Sequence, residues 1–294
     1  MQVFLLCLSV LFFPMAIASY YAGKRIVARR EPDPPANPAN YGMDAETVLF
    51  RSTDGLMLEG WWIPATAPTK RTVIQCHGQN GSMDADIAEA KVLHNAGFNV
   101  LMFNFRAHGN SEGAHVTYGL TEKNDVLGAI QYLADLHGID KVGVLGFSMG
   151  ALVAIRAAAE SEAIVCIVAD GTTGAIQTTI GRWISRRWLP MSFVQTFVRL
   201  SLWFGSRIAD VPLHKVNGAR WVKNVPSAAI LFIHGEYDQF VDELTIQHMR
   251  QAATVETALW VVPEARHREA YKRFPREYAD EIVKWFDTYL VYNP

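Results

Sequence analysis

Runs of five to eight residues that are apolar at nearly every position recur along this chain, and stretches of helical periodicity separate them. The runs are "RTVIQCHG" (71–78), "NVLMFNF" (99–105), "KVGVLGF" (141–147), "AIVCIVAD" (163–170), "AAILFIHG" (228–235) and "TALWVVP" (257–263). A strand with one face in water alternates apolar with polar; a strand covered on both faces does not. The intervening segments read as helices: Ser82 to Ala96 with Ser82 as N-cap and Gly97 as stop, then about 119–136, 149–160, 242–253 and a last one from Arg276 to Leu290. Ahead of them, "ETVLFRS" and "LEGWWIPA" flank the turn "DGL" as an opening hairpin. This alternation predicts an α/β fold with a mostly parallel sheet of about eight strands and helices on both faces. Such sheets hold their sites at the carboxyl ends of the strands.

The first 40 residues follow another pattern. Val3 to Tyr21 is almost wholly apolar, interrupted by Ser9, Pro14 and Ser19. As a helix it would span about 28 Å, enough for a bilayer core. Lys24, Arg25, Arg29 and Arg30 follow with no acid among them. The positive-inside rule would then place the rest of the chain in the cytoplasm. The expectation is a single-pass membrane anchor over 1–23, with a cleaved signal peptide and a secreted or periplasmic product as the alternative. "AIA" at Ala16–Ala18 offers a cleavage site, but only Met1 and Gln2 precede the apolar run where a positive n-region is needed. Residues 24–40 read as a basic, proline-rich linker, with four prolines between Pro32 and Pro38 forming an extended spacer. The folded domain is expected over 41–294.

Without those four bases the chain carries 23 basic against 29 acidic residues, which argues against nucleic acid as a partner. Cys7, Cys76 and Cys166 are far apart in apolar runs and read as buried thiols. No P-loop or H-E-x-x-H is present, so neither a metal nor an organic cofactor is implied.

At the strand ends, Ser148 sits in Gly-x-Ser-x-Gly, directly after one strand and directly before a helix. Such a sharp turn needs positions without bulk on either side, and Gly146 and Gly150 supply them. A hydroxyl is a poor nucleophile until a base takes its proton, so a histidine and an orienting acid are required. His267, in "VVPEARHREAY", lies just past the last strand; His108, in "FRAHGNSEG", is the second candidate. His234 ends a strand and reads as structural, and His94, His137 and His248 fall in helices. For the acid, Asp238, Asp170 and Asp242 all lie near strand ends, where aspartate is often a turn or cap residue.

The order Ser148, Asp238, His267 is that of the α/β-hydrolase superfamily. The chain resembles it over roughly 45–290 through "TDGLMLEGWWIPA", "VIQCHGQNGS", "NFRAHGNSEG", "GFSMGA", "FIHGEYDQFV" and "RHREAY", in family order. The likeness is to esterase, lipase and serine-aminopeptidase-like members with a single His-Gly oxyanion loop. It implies Ser148 as nucleophile, His267 as base, Asp238 as its orienting acid, and the backbone N–H groups of Met149 and Gln79 as oxyanion donors. Asn80 is the alternative to Gln79, since "HGQNG" departs from triple-glycine loops, and His77 shapes the loop. Asp170 remains the rival to Asp238.

Between Asp170 and "AAILFIHG" nearly sixty residues fit no strand and predict a helical cap, about 171–225, inserted after strand 6. From Gly171 to Ala209 it holds no acid but carries Arg182, Arg186, Arg187, Arg199 and Arg207 with Trp183, Trp188 and Trp203. Phe193, Phe197, Leu200 and Phe204 follow Ser192 at helical spacing, with Ser192 as N-cap. This stripe either packs over the sheet or forms a membrane-facing lid. The leading expectation is a membrane-anchored serine hydrolase of carboxylic esters with acyl or lipid-like substrates. The alternatives are a peptidase or amidase on the same triad and a non-catalytic scaffold. Oligomeric state is not legible.

Overall fold

A computed structural model of the chain describes residues 2–185 and 190–291, with side chains from residue 13 onward. The side chain of Cys7, and residues Arg186, Arg187 and Trp188, therefore lie outside what is described. The chain opens with helix α1 (Gln2–Val27). Strands β1 (Glu46–Arg51), β2 (Met57–Ile63) and β3 (Thr72–Cys76) follow, then α2 (Ile87–Asn95), β4 (Asn99–Phe103), α3 (Lys123–His137), β5 (Val142–Phe147), α4 (Met149–Ala158) and β6 (Ile164–Asp170). The cap comes next: α5 (Ile176–Ser185), α6 (Met191–Ala209) and α7 (Gly218–Val222). After it come β7 (Ala229–Gly235), α8 (Glu243–Ala252), β8 (Thr257–Val262), α9 (Ala270–Arg273) and α10 (Pro275–Tyr289).

The eight described strands form one sheet in the order β1-β2-β4-β3-β5-β6-β7-β8. The hairpin β1–β2 joins β4 antiparallel, and every other pairing is parallel. The period of two divides the strand side chains between two cores. Ile74, Val144 and Ile167 face α3, α4 and the cap; Val73, Leu145 and Val168 face α2 and α10. Both faces are covered, which is why these strands carry no polar alternation.

Three expectations change. First, among the described residues no helix is long and apolar enough to cross a membrane, so the single-pass anchor and its cytoplasmic orientation do not stand. From about residue 13 onward α1 is instead a packing partner of the cap: Ser19 and Val27 are fully buried. At Gly23 the two helices come so close that a Cβ would lie 2.5 Å from the Ser201 carbonyl oxygen and 2.8 Å from the Gly205 nitrogen. Two of the bases read as setting membrane orientation are spent on the body. The Arg30 guanidinium donates to the carbonyls of Arg25, Ile26 and Ala28, closing the C-terminal end of α1. Arg29 donates to Gly113 and Ser111 carbonyls at 2.9 Å each.

Second, the proline-rich run lies along the domain. The Asp33 carboxylate accepts from the Ser82 N–H (2.8 Å), the Asp84 carboxylate accepts from the Ala36 N–H (2.9 Å), and Pro38 is buried. Third, α6 starts one residue before Ser192, behind Pro190, whose fixed φ and missing N–H suit a helix start. The buried stripe of α6 is Val194, Val198, Ser201, Leu202 and Gly205. The expected aromatic stripe flanks it, and Phe204 meets Tyr20 of α1 edge-on at 5.6 Å between centroids. Cys76 and Cys166 are free and buried, and burial raises both thiol pKa values.

Candidate active site

The turn from β5 into α4 holds Ser148 at φ +52°, a left-handed conformation that costs a non-glycine residue about 1–3 kcal/mol. The elbow is tight enough that a Cβ on Gly150 would lie 2.2 Å from the Cys76 carbonyl oxygen. The neighbouring strands thus dictate the Gly-x-Ser-x-Gly spacing. His267 stands in the loop between β8 and α9, with its Nε2 2.9 Å from Ser148 Oγ. Its Nδ1 lies 2.7 Å from Asp238 Oδ2, in the loop after β7. The other carboxylate oxygen of Asp238 accepts the N–H groups of Phe240 (2.7 Å) and Val241 (3.1 Å). Burial pushes the Asp238 pKa up. The hydrogen bond and charge of His267 and those two N–H groups outweigh it and hold the carboxyl below its usual range. An ionised Asp238 only accepts, so His267 carries its proton on Nδ1 and turns the Nε2 lone pair toward the Ser148 hydroxyl. The Phe240 ring meets the imidazole edge-on, 4.9 Å between centroids, and restricts its swing.

The rival residues are occupied elsewhere. Asp170 accepts the Tyr278 hydroxyl at 3.0 Å, and burial pushes its carboxyl up to about 6. Asp242 caps α8 through the Thr245 N–H and pairs with Arg182 at 2.6 Å. His108 is fully buried, with its nitrogens 2.8 Å from the Arg106 and Gln79 carbonyl oxygens. His77 bonds the Gly78 carbonyl through Nδ1 and accepts the Phe105 N–H at Nε2, so it holds the loop after β3. His234 is buried, and that burial lowers its pKa.

Ser148 and His267 open into a cavity of about 250 Å³, bordered by Gln79, Asn80 and Met149 and roofed by Ile176 and Ile180 of the cap. Met149 is the first residue of α4, so its N–H has no acceptor within the helix. The Gln79 side chain donates to the Tyr118 hydroxyl (2.6 Å), which donates to the Ile26 carbonyl at the end of α1 (3.1 Å). Arg268 also borders the cavity and was not a sequence candidate. Its guanidinium lies 4.4 Å from the Phe147 ring centroid and pairs with Asp86. Half-buried Glu89, its carboxyl pushed up to about 7 by desolvation and by Asp86, belongs to the same charged cluster. The only signal for Arg268 in the sequence is its position next to His267. Among the described residues, no three His, Cys, Asp or Glu side chains converge to hold a metal ion.

Fold and site define the class: the chain has the α/β-hydrolase fold. A family model described as the α/β hydrolase fold matches residues 71–206. The chain is similar to the uncharacterized protein YfhR of Escherichia coli strain K12, 25% identical over 254 residues that cover 83% of this chain and 82% of that one. It is 24% identical over 257 residues to YqkD of Bacillus subtilis, covering 83% and 80% of the two chains. Among solved structures it resembles the Pyrococcus furiosus esterase Pf2001, with a TM-score of 0.73 and 28% identity over 90% of this chain and 99% of that one.

Proposed function

We propose that this chain is a serine hydrolase that cleaves carboxylic esters, acyl or lipid-like, through an acyl-enzyme on Ser148. The reading rests on one observation above all: the unbroken hydrogen-bond path Asp238–His267–Ser148 at the mouth of a cavity. The likeness to a P. furiosus esterase supports it. Ser148 Oγ attacks the ester carbonyl while His267 Nε2 takes its proton. Asp238 keeps Nδ1 protonated and stabilises the imidazolium that forms. The tetrahedral oxyanion sits between the N–H groups of Met149 and of the Gln79–Asn80 loop, so that charge develops against fixed dipoles. His267 then protonates the departing alkoxide, and a water molecule, deprotonated by the same imidazole, releases the acid.

The test is an ester panel with fluorophosphonate labelling of the wild type. Ser148→Ala is expected to lose labelling and to lower kcat about 10⁴-fold or more with the fold intact by circular dichroism. Unchanged hydrolysis by Ser148→Ala would exclude the assignment.

A further inference from the structure

The ester-hydrolase reading leaves open which substrate the cavity takes, and the N-terminal helix bears on that question. A second, almost wholly apolar cavity of about 460 Å³ lies between α1, α5 and α6. Its walls are Ala18, Ala22 and Ile26 of α1, Ile180 and Trp183 of α5, and Phe197 of α6. One hydroxyl borders it, that of Ser201, and it is already spent on the Phe197 carbonyl at 2.8 Å. A polar ligand would find no partner there, while an aliphatic chain would lose nothing by entering.

Between this chamber and the catalytic cavity lies a third space, bordered by residues of both and by Arg25 and Arg30. This middle space, of about 350 Å³, shares Ile26, Ile180 and Trp183 with the apolar chamber, and Gln79, Tyr118 and Phe240 with the cavity of Ser148. Ile180 borders all three. Along α1 the apolar wall runs from Ile26 back to Met15, about 16 Å of helix. We propose that the three spaces form one channel, and that its apolar end, walled by the N-terminal helix, takes the aliphatic tail of a medium- or long-chain acyl group. The acyl half is the part that must stay bound after the alcohol has left, so an apolar chamber beyond the catalytic cavity suits it. The inference rests on the ester-hydrolase reading.

The experiment measures kcat/KM on p-nitrophenyl esters of straight-chain acids from acetate to dodecanoate, each below its micelle concentration. In the wild type it is expected to rise roughly two- to fourfold per methylene beyond butyrate. Ala22 borders the apolar chamber and neither of the other two spaces. Ala22→Phe is therefore expected to leave acetate hydrolysis within twofold and to cut decanoate hydrolysis at least tenfold. If Ala22→Phe melts early, Ala18→Phe, at a more exposed position on the same wall, carries the same comparison. Labelling rates with short- and long-chain alkyl fluorophosphonates supply a readout that does not need turnover. Ser148-dependent hydrolysis with a flat chain-length profile, or a decanoate rate untouched by both variants, overturns the channel and leaves the esterase reading in place. Absence of Ser148-dependent hydrolysis on every ester overturns both.

Discussion

At the scale of single residues, the site separates two aspartates by environment. Asp238 meets a histidine and two N–H groups; Asp170 meets a phenol in a buried pocket and is pushed up to about 6. Asp238→Asn keeps the geometry but turns an amide N–H toward His267, or forces the wrong tautomer; kcat is expected to fall roughly 10³- to 10⁴-fold in steady-state ester hydrolysis with KM little changed. Asp170 supplies a different prediction. Its folded pKa lies above its unfolded one, so it favours folding when protonated, and that contribution is lost as pH rises from about 4 through about 6. Asp170→Asn is therefore expected to stabilise at pH 8, by at most about 3 kcal/mol, and to do little at pH 4. Thermal melts of both proteins across that range check it, and a gap that widens toward low pH would refute the burial argument. Sequence alone left these two acids close rivals, because both follow a strand. The distinction lies in which loop reaches His267, a matter of packing that local pattern does not encode.

At the scale of elements, the elbow and the α1–α6 contact both depend on missing side chains. Gly150→Ala would place a methyl group 2.2 Å from a backbone oxygen of β3. It is expected to cost about 2–4 kcal/mol in denaturant unfolding and to lower activity by displacing Ser148. Gly23→Leu is expected to separate α1 from α6 at a cost of about 1–3 kcal/mol, read as a lower Tm. Tyr118→Phe removes the hydroxyl that links Gln79 to the end of α1. A five- to tenfold loss in kcat without loss of Tm would place that link in oxyanion-loop positioning. The apolar strands and the elbow were legible in the sequence because their periodicity and spacing are local. The role of α1 was not: an apolar run of membrane length is also what a helix needs to pack against a cap, and residues 13–27 do the latter. The difference shows only once Gly23 is seen against Ser201 and Gly205, about 180 positions later.

At the scale of the whole molecule, a mostly parallel sheet of about eight strands and a cap after β6 follow from the alternation of runs along the chain, whereas the strand order is set by packing. What sequence could not supply was the charged cluster of Arg268, Asp86 and Glu89 beneath the site, whose members come from α2 and its approach and from the loop after β8. The docking of α1 also has a consequence for how the chain is made. Its helix is complete by residue 27, while α6, its partner, ends at residue 209. At about 5–20 residues per second on the ribosome, the apolar face of α1 waits roughly 10–40 s for that partner to emerge. Over that interval the helix carries apolar surface without the partner that covers it in the folded chain.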